Sequence, residues 1–248
     1  MPSSRQTHDA SPNGHGMTHG TLVIMAKAPR AGTVKTRLIR SFPVPSVTEL
    51  YRCLLDDTIQ LARTLDGIEV TLMCPETDAE ELILATDNVV PVVPQTGNGL
   101  EAGLNSVFAH FTRGGRRPVV AFNSDTPHLP ASVLQNAFRA LASSDVVVGP
   151  THDGGYYLVG ATASHPGLFH EDVMGTASAL DSLVARAQVM NLSVQLTAPF
   201  YDIDEAADLQ RLSAELDCAP GKAPKTANWL RTFKSALPPR AVGQHGEK

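Results

Sequence analysis

The stretch Leu22-Val-Ile-Met-Ala-Lys27-Ala-Pro29-Arg30-Ala-Gly32-Thr-Val-Lys35-Thr36-Arg37-Leu38 runs from an unbroken apolar segment into a loop that holds one glycine and four cations. Leu22 to Ala26 are apolar with β-branched members, the pattern of a strand covered on both faces. Lys27, Arg30, Lys35 and Arg37 follow within eleven positions, and Gly32 lets the backbone turn or come close to a ligand. A buried strand ending on such a loop is how an α/β protein holds phosphates. The plainer explanation is a solvated basic turn, and a partner motif has to decide between them.

That partner is Pro118-Val-Val-Ala-Phe-Asn123-Ser124-Asp125-Thr126-Pro127-His128-Leu129-Pro130, a second apolar run that ends on a carboxylate and a Pro-bounded turn. In open parallel sheets ligands sit beyond the carboxyl ends of the strands, so Asp125 is placed to hold a divalent ion bridging substrate phosphates. The structural alternative is an Asx-turn or helix-capping Asp, because a helix is predicted over 131–142.

With 248 residues, 42% of them hydrophobic and 18% charged, the chain can bury one sizeable core. A net charge of -5 gives no general attraction to nucleic acid or to an anionic membrane, so phosphate binding has to be local. The three cysteines, Cys53, Cys74 and Cys218, are widely spaced without a CxxC, which indicates neither a disulfide framework nor a zinc site and suits a reducing cytoplasm. No apolar run approaches the ~20 residues that span a bilayer. Residues 1–19 and 235–248 are polar and aperiodic, and are expected to be disordered tails around a single domain at 20–234.

Within that domain strands are expected near 21–26, 68–74, 90–93, 118–122 and 145–149, alternating with helices near 46–66, 78–86, 100–112, 131–142, 177–190 and 204–217. Such alternation predicts a mainly parallel sheet with helices on both faces, a three-layer α/β/α domain. Two further runs, 156–160 and 194–198, break the rhythm. The first follows a Gly-Gly turn too closely for a crossover helix, so the sheet is expected to be mixed, with an antiparallel strand.

Three other segments carry candidate chemistry. In Gly149-Pro-Thr-His152-Asp153-Gly154-Gly155-Tyr156, the glycines can present amide N–H groups to an anion or sugar while Asp153 accepts from hydroxyls, though an Asp-Gly hairpin turn explains the same residues. Tyr201-Asp202-Ile203-Asp204-Glu205-Ala-Ala-Asp208 brings carboxylates to the start of the last predicted helix. Glu205 and Asp208 are accounted for by helix capping and the helix dipole. Either Asp202 or Asp204 is placed to join Asp125 in a two-carboxylate magnesium site, and spacing alone does not choose between them. Gln95-Thr-Gly97-Asn98-Gly99-Leu100-Glu101 is a glycine-rich entry to a helix that could meet a base or ribose or be a plain loop. There is no G-x-S-x-G, H-E-x-x-H or G-x-G-x-x-G after the first strand, and the 32–36 segment has the wrong spacing for a Walker A loop.

Four motifs together, A-K-A-P-R-x-G-x-V-K-T-R-L, N-S-D-T-P-x-L-P, G-P-x-x-D-G-G-Y-Y-L-V-G and D-I-D-E-x-x-D-L, resemble a bacterial family of glycosyltransferase-A-like (GT-A) proteins of the nucleotide-diphospho-sugar transferase superfamily. Phospholactate guanylyltransferases and molybdopterin nucleotidyltransferases are related to it, and the resemblance covers about 20–215. It implies a GT-A fold and a nucleotide site built from Ala26, Lys27, Gly32, Lys35, Thr36, Arg37, Gln95, Asn98 and Ser124. It implies Mg2+ or Mn2+ on Asp125 with Asp202 or Asp204, an acceptor near Asp153, Gly154, Gly155 and Tyr156, and Asp125, Lys35 and Asp153 as catalytic groups. The 97–104 loop lacks the Asp and Arg of the family pattern, and Gly103-Leu104-Asn105 is closer to the guanylyltransferase relatives.

The activity this implies is glycosyl transfer from a nucleotide sugar to a small-molecule acceptor. The alternatives are guanylyl or cytidylyl transfer from an NTP to a phosphorylated small molecule, and nucleotide binding without catalysis. Nucleic acid and membrane partners are not expected; a homo-oligomer is compatible with the sequence.

Overall fold

In a computed structural model the chain is described for residues 20–113, 117–170, 172 and 174–233. The two tails expected at 1–19 and 235–248 lie outside the described residues.

The strands are β1 (Gly20–Met25), β2 (Ile68–Cys74), β3 (Val92–Pro94), β4 (Val119–Asn123), β5 (Val146–Pro150), β6 (Tyr156–Ala161) and β7 (Val194–Leu196). The helices are α1 (Val44–Arg63), α2 (Ala79–Ala85), α3 (Gly99–Phe111), α4 (Ala131–Ala140), α5 (Ala179–Val189), α6 (Ala206–Cys218) and α7 (Pro224–Phe233). One seven-stranded sheet runs in the order β3-β2-β1-β4-β6-β5-β7. All pairings are parallel except those of β6, which lies antiparallel to both β4 and β5. The mixed sheet expected from the short Gly-Gly link is what forms: five residues between β5 and β6 leave room for a turn but not for a crossover helix.

Period-two alternation sends successive β1 residues to opposite layers. Leu22 and Ile24 pack with Leu55 and Ile59 of α1 and Leu134 and Ala137 of α4. Val23 packs with Leu104, Val107 and Phe108 of α3 and Leu183 and Ala187 of α5. Because both faces are covered, β1 and β4 read as continuous apolar runs rather than alternating ones. A third cluster joins Leu50 and Leu54 of α1 to Leu209 and Leu212 of α6 and to Trp229 and Leu230 of α7. Helix α7 extends past the last predicted helix. It opens on Pro224, and the buried Asp57 of α1 accepts the N–H groups of Lys225 at 3.2 Å and Thr226 at 2.7 Å. A carboxylate from another helix thus meets its first free donors.

Strands β1, β2, β3 and β4 all point their carboxyl ends at one edge of the sheet. Residues immediately after each of the four line one cleft there.

Candidate functional site

The cleft encloses about 600 Å³, lined by Met25, Ala26 and Lys27 after β1, Pro75 after β2, Gln95 after β3, and Ser124 and Asp125 after β4. Thr33, Val34, Lys35, Thr36 and Arg37 close it from the basic loop, Tyr51 from α1, Gly99 and Leu100 from α3, and Asp204 from the segment before α6.

The turn after β4 is shaped by Asn123, whose Oδ1 accepts from Thr126 Oγ1 at 2.6 Å and from the Asp125 N–H at 3.4 Å. Asp125 therefore does not cap a helix; α4 begins after Pro130 and has no side-chain cap. Its carboxylate turns to the basic loop instead, with Oδ2 2.6 Å from Lys35 Nζ. Lys35 also reaches Asp204 Oδ1 at 2.9 Å, and Arg37 holds Asp204 Oδ2 at 3.0 Å. Lys35 has φ 49°, a left-handed conformation uncommon outside glycine, and its side chain is 5% exposed. Burial would lower its pKa, but Asp125 and Asp204 outweigh burial and hold the ammonium above its ordinary range.

Sequence spacing left Asp202 and Asp204 as alternatives; Asp204 lines the cleft, whereas Asp202 is not among its lining residues. Tyr201 and Ile203 are buried in the third cluster, while Asp202 between them and Asp204 after them are less buried. Burial, then Asp204 and Asp125, push Asp202 up to about 6, against a partial offset by Lys35. Asp204 carries the ion pairs with both cations. Glu205 and Asp208 form a capping box on α6, and Asp208 Oδ2 also accepts the Asp204 N–H at 3.0 Å, which fixes the backbone under that carboxylate.

Three groups that sequence reasoning did not single out support this arrangement. Tyr51 Oη accepts the Lys27 N–H at 3.0 Å and lies 3.2 Å from Ser124 Oγ, which in turn donates to Asp125 Oδ1 at 3.2 Å. Burial, then Asp125, raise the Tyr51 phenol to about 12, so it remains a neutral donor and acceptor. His128 is 1% exposed between Phe200 and Tyr201, with ring centroids 4.9 and 4.6 Å away. It ties the Asp125 turn to the chain that carries Asp202 and Asp204, and burial depresses its pKa to about 3, which keeps the ring neutral. Leu100, 43% exposed, adds apolar surface at the cleft beside Met25 and Pro75. A tyrosine at the sixth position of a predicted helix and an aliphatic at a helix start carry no signal that separates them from packing residues.

Of the four basic-loop cations, Lys27, Lys35 and Arg37 line the cleft, whereas Arg30 is turned away. Its guanidinium pairs with Asp78 and Glu81 and donates to the Thr77 carbonyl at 2.7 Å, fastening the loop to the start of α2. Gly32, φ +80°, stands at the loop tip with nothing within 4 Å of a would-be Cβ. Gln95 Nε2 donates to the carbonyls of Gly97 and Gly99 at 3.0 and 3.1 Å, which braces the entry to α3. Asn98 lines a neighbouring depression with Thr96, Glu101 and Asn105 rather than the cleft.

The 153–156 turn lies to one side. Asp153 Oδ1 accepts from Thr151 Oγ1 and from the Gly155 N–H; the Thr151 bond chiefly lowers its pKa, with Arg37 contributing charge. At Gly154, φ +90°, a Cβ would fall 2.0 Å from the Ala177 carbonyl oxygen, so close backbone packing requires glycine there. Tyr156 donates to Met174 Sδ and packs against the second cluster.

Among the described residues no three His, Cys, Asp or Glu side chains stand together as a metal cluster. Asp125 and Asp204 nevertheless bring hard carboxylate oxygens to one buried positive charge. Two such ligands completed by phosphate oxygens are a donor set that fits magnesium or manganese.

Residues 58–176 match the model of a family, DUF2064, described as an uncharacterized protein conserved in bacteria. Among curated proteins none matches the chain. Solved structures of similar fold include a candidate nucleotide-diphospho-sugar transferase from Desulfovibrio desulfuricans G20, 25% identical with a TM-score of 0.81, covering 89% of this chain and 97% of that one. A cytidylyltransferase from Leptospira borgpetersenii is 13% identical with a TM-score of 0.53, covering 91% and 99%. A nucleotidyl transferase from Methanothermobacter is 16% identical with a TM-score of 0.51, covering 86% and 98%. The chain has the nucleotide-diphospho-sugar transferase fold, as the four sequence motifs imply. No helix among the described residues is long and apolar enough to cross a membrane.

Proposed function

We propose that this protein is a divalent-cation-dependent transferase acting on a nucleotide-activated donor, and that the reaction is glycosyl transfer to a small-molecule acceptor. The observation that carries the reading is the convergence of Lys35 and Arg37 with Asp125 and Asp204 in the cleft beyond β1 and β4. The likeness to the Desulfovibrio protein, named for nucleotide-diphospho-sugar transfer, supports the sugar donor.

Lys27, Lys35 and Arg37 would bind the donor phosphates and stabilise charge gathering on the leaving oxygen. Asp125 and Asp204 would hold magnesium or manganese, which would supply Lewis-acid stabilisation of the leaving nucleoside diphosphate. Met25, Ala26, Pro75 and Leu100 give the nucleoside an apolar wall, and Gln95 holds the loop that borders it. Asp153 and the Gly155 amide, near Arg37, are the proposed acceptor side. The acceptor oxygen would attack the sugar C1, the bond from C1 to the phosphate oxygen would break, and the acceptor proton would leave to solvent or to a nearby carboxylate.

A second reading is nucleotidyl transfer, in which an acceptor phosphate attacks the α-phosphorus and pyrophosphate leaves. Three cleft cations favour it, because a triphosphate has more charge to neutralise than a diphosphate. Incubation with magnesium and a panel of nucleotide sugars and nucleoside triphosphates, each with candidate acceptors, separates the two. Release of nucleoside diphosphate from a nucleotide sugar is expected. Pyrophosphate release from a triphosphate would make the protein a nucleotidyltransferase, and binding without any product would make it a non-catalytic nucleotide binder.

A further inference from the structure

The two carboxylates proposed to hold the metal and two of the cations proposed to hold the phosphates are bonded to each other. Lys35 Nζ stands 2.6 Å from Asp125 Oδ2 and 2.9 Å from Asp204 Oδ1, and Arg37 takes the second oxygen of Asp204 at 3.0 Å. A divalent ion coordinated by those oxygens at roughly 2.1 Å would share their space with the ammonium and be repelled by it. Phosphate seeking Lys35 and Arg37 would likewise compete with Asp204.

We propose that Lys35 is a stand-in cation that latches Asp125 and Asp204 together, so that metal alone and phosphate alone each bind against the Lys35–Asp125 and Lys35–Asp204 pairs and the two together bind cooperatively. The proposal rests on the metal–nucleotide reading of the cleft. When both ligands arrive, Asp125 and Asp204 exchange the ammonium for the metal, and Lys35 and Arg37 exchange carboxylates for phosphate oxygens. Every charge keeps an opposite partner. Neither exchange is complete with one ligand alone, and linkage makes the coupling equal in both directions. Asp202 serves as an internal control. It is a neighbouring carboxylate with no ion pair to either cation among the described residues, so removing its charge changes the local field without opening the latch.

The test compares wild type with Lys35→Met, Asp204→Asn and Asp202→Asn, each confirmed folded by its melting curve. Two affinities are measured: for Mn2+ alone, and for inorganic pyrophosphate in EDTA. Lys35→Met is expected to bind Mn2+ alone about tenfold more tightly than wild type, although it loses a phosphate ligand. Asp204→Asn is expected to bind pyrophosphate in EDTA about tenfold more tightly, with Asp202→Asn gaining clearly less. Lys35→Met binding Mn2+ no better than wild type, or Asp204→Asn gaining no more than Asp202→Asn, overturns the latch. The metal reading survives that result if wild type still binds Mn2+ when pyrophosphate is present. If no variant takes up Mn2+ even with pyrophosphate, the metal reading falls and the latch with it.

Discussion

At the scale of single residues, the candidate site depends on which carboxylates face which cations, and this was partly legible in the sequence. Asp125 and the 27–37 loop stand out because each follows an apolar strand, and strand ends share one sheet edge. The division of labour within the loop was not legible. Arg30 is taken up by Asp78 and Glu81, 48 and 51 positions away, and no local pattern announces such a contact. Asp202 was one of two alternatives for the second carboxylate, and its surroundings set a pH test. Its pKa is raised to about 6 in the folded chain, mainly by burial and then by Asp204. Between the ordinary carboxylate value and that pH the folded protein holds more protons than the unfolded chain, so stability falls as pH rises through this window and the penalty is complete above it. Asp202→Asn removes the titrating charge. Chemical denaturation should find the variant more stable than wild type at pH 8, with the advantage shrinking as pH is lowered toward the ordinary carboxylate range. A difference that does not change with pH would show that the buried charge is not its source.

Among the elements, the parallel strands and the major helices were legible because long periodic or continuous apolar runs admit one reading. The antiparallel β6 was also legible, from the shortness of its link to β5. Helix α7 was not. Its ten residues follow Pro-Gly and Ala-Pro dipeptides that read as loop, and what secures it is tertiary: it packs on α1 and α6, and Asp57 caps it from α1. That contact links residues 168 and 169 positions apart and leaves no trace in a local window. Asp57→Ala should remove two bonds to a buried carboxylate, at roughly 1.5 kcal/mol or more each, or about 3 kcal/mol in all. For a domain of this size that is a fall of several degrees in Tm. A variant that melts with wild type would show that α7 is held by apolar packing alone. The same cluster buries Tyr201 and Ile203, which flank Asp202 and precede Asp204, so α7 supports the segment that brings Asp204 to the cleft without lining the cleft itself.

For the whole molecule, the fold gathers short segments from widely separated parts of the chain at one sheet edge, and so brings three cations of a chain of net charge -5 into one cleft, where the proposed phosphate site lies. Composition implies that any phosphate binding has to be local, and Lys27, Lys35 and Arg37 are the cations that line this cleft. The claim on which everything else rests is that these cations and Asp125 serve a single nucleotide site. The direct measurement is calorimetric titration, in magnesium, of the nucleotide that gives turnover into wild type and into the double variant Lys35→Ala/Arg37→Ala. Two charge-assisted contacts at about 1.5 kcal/mol or more each should weaken binding at least tenfold, with the variant still folded. A folded double variant that binds the nucleotide as tightly as wild type would contradict a phosphate role for the loop and move the site elsewhere.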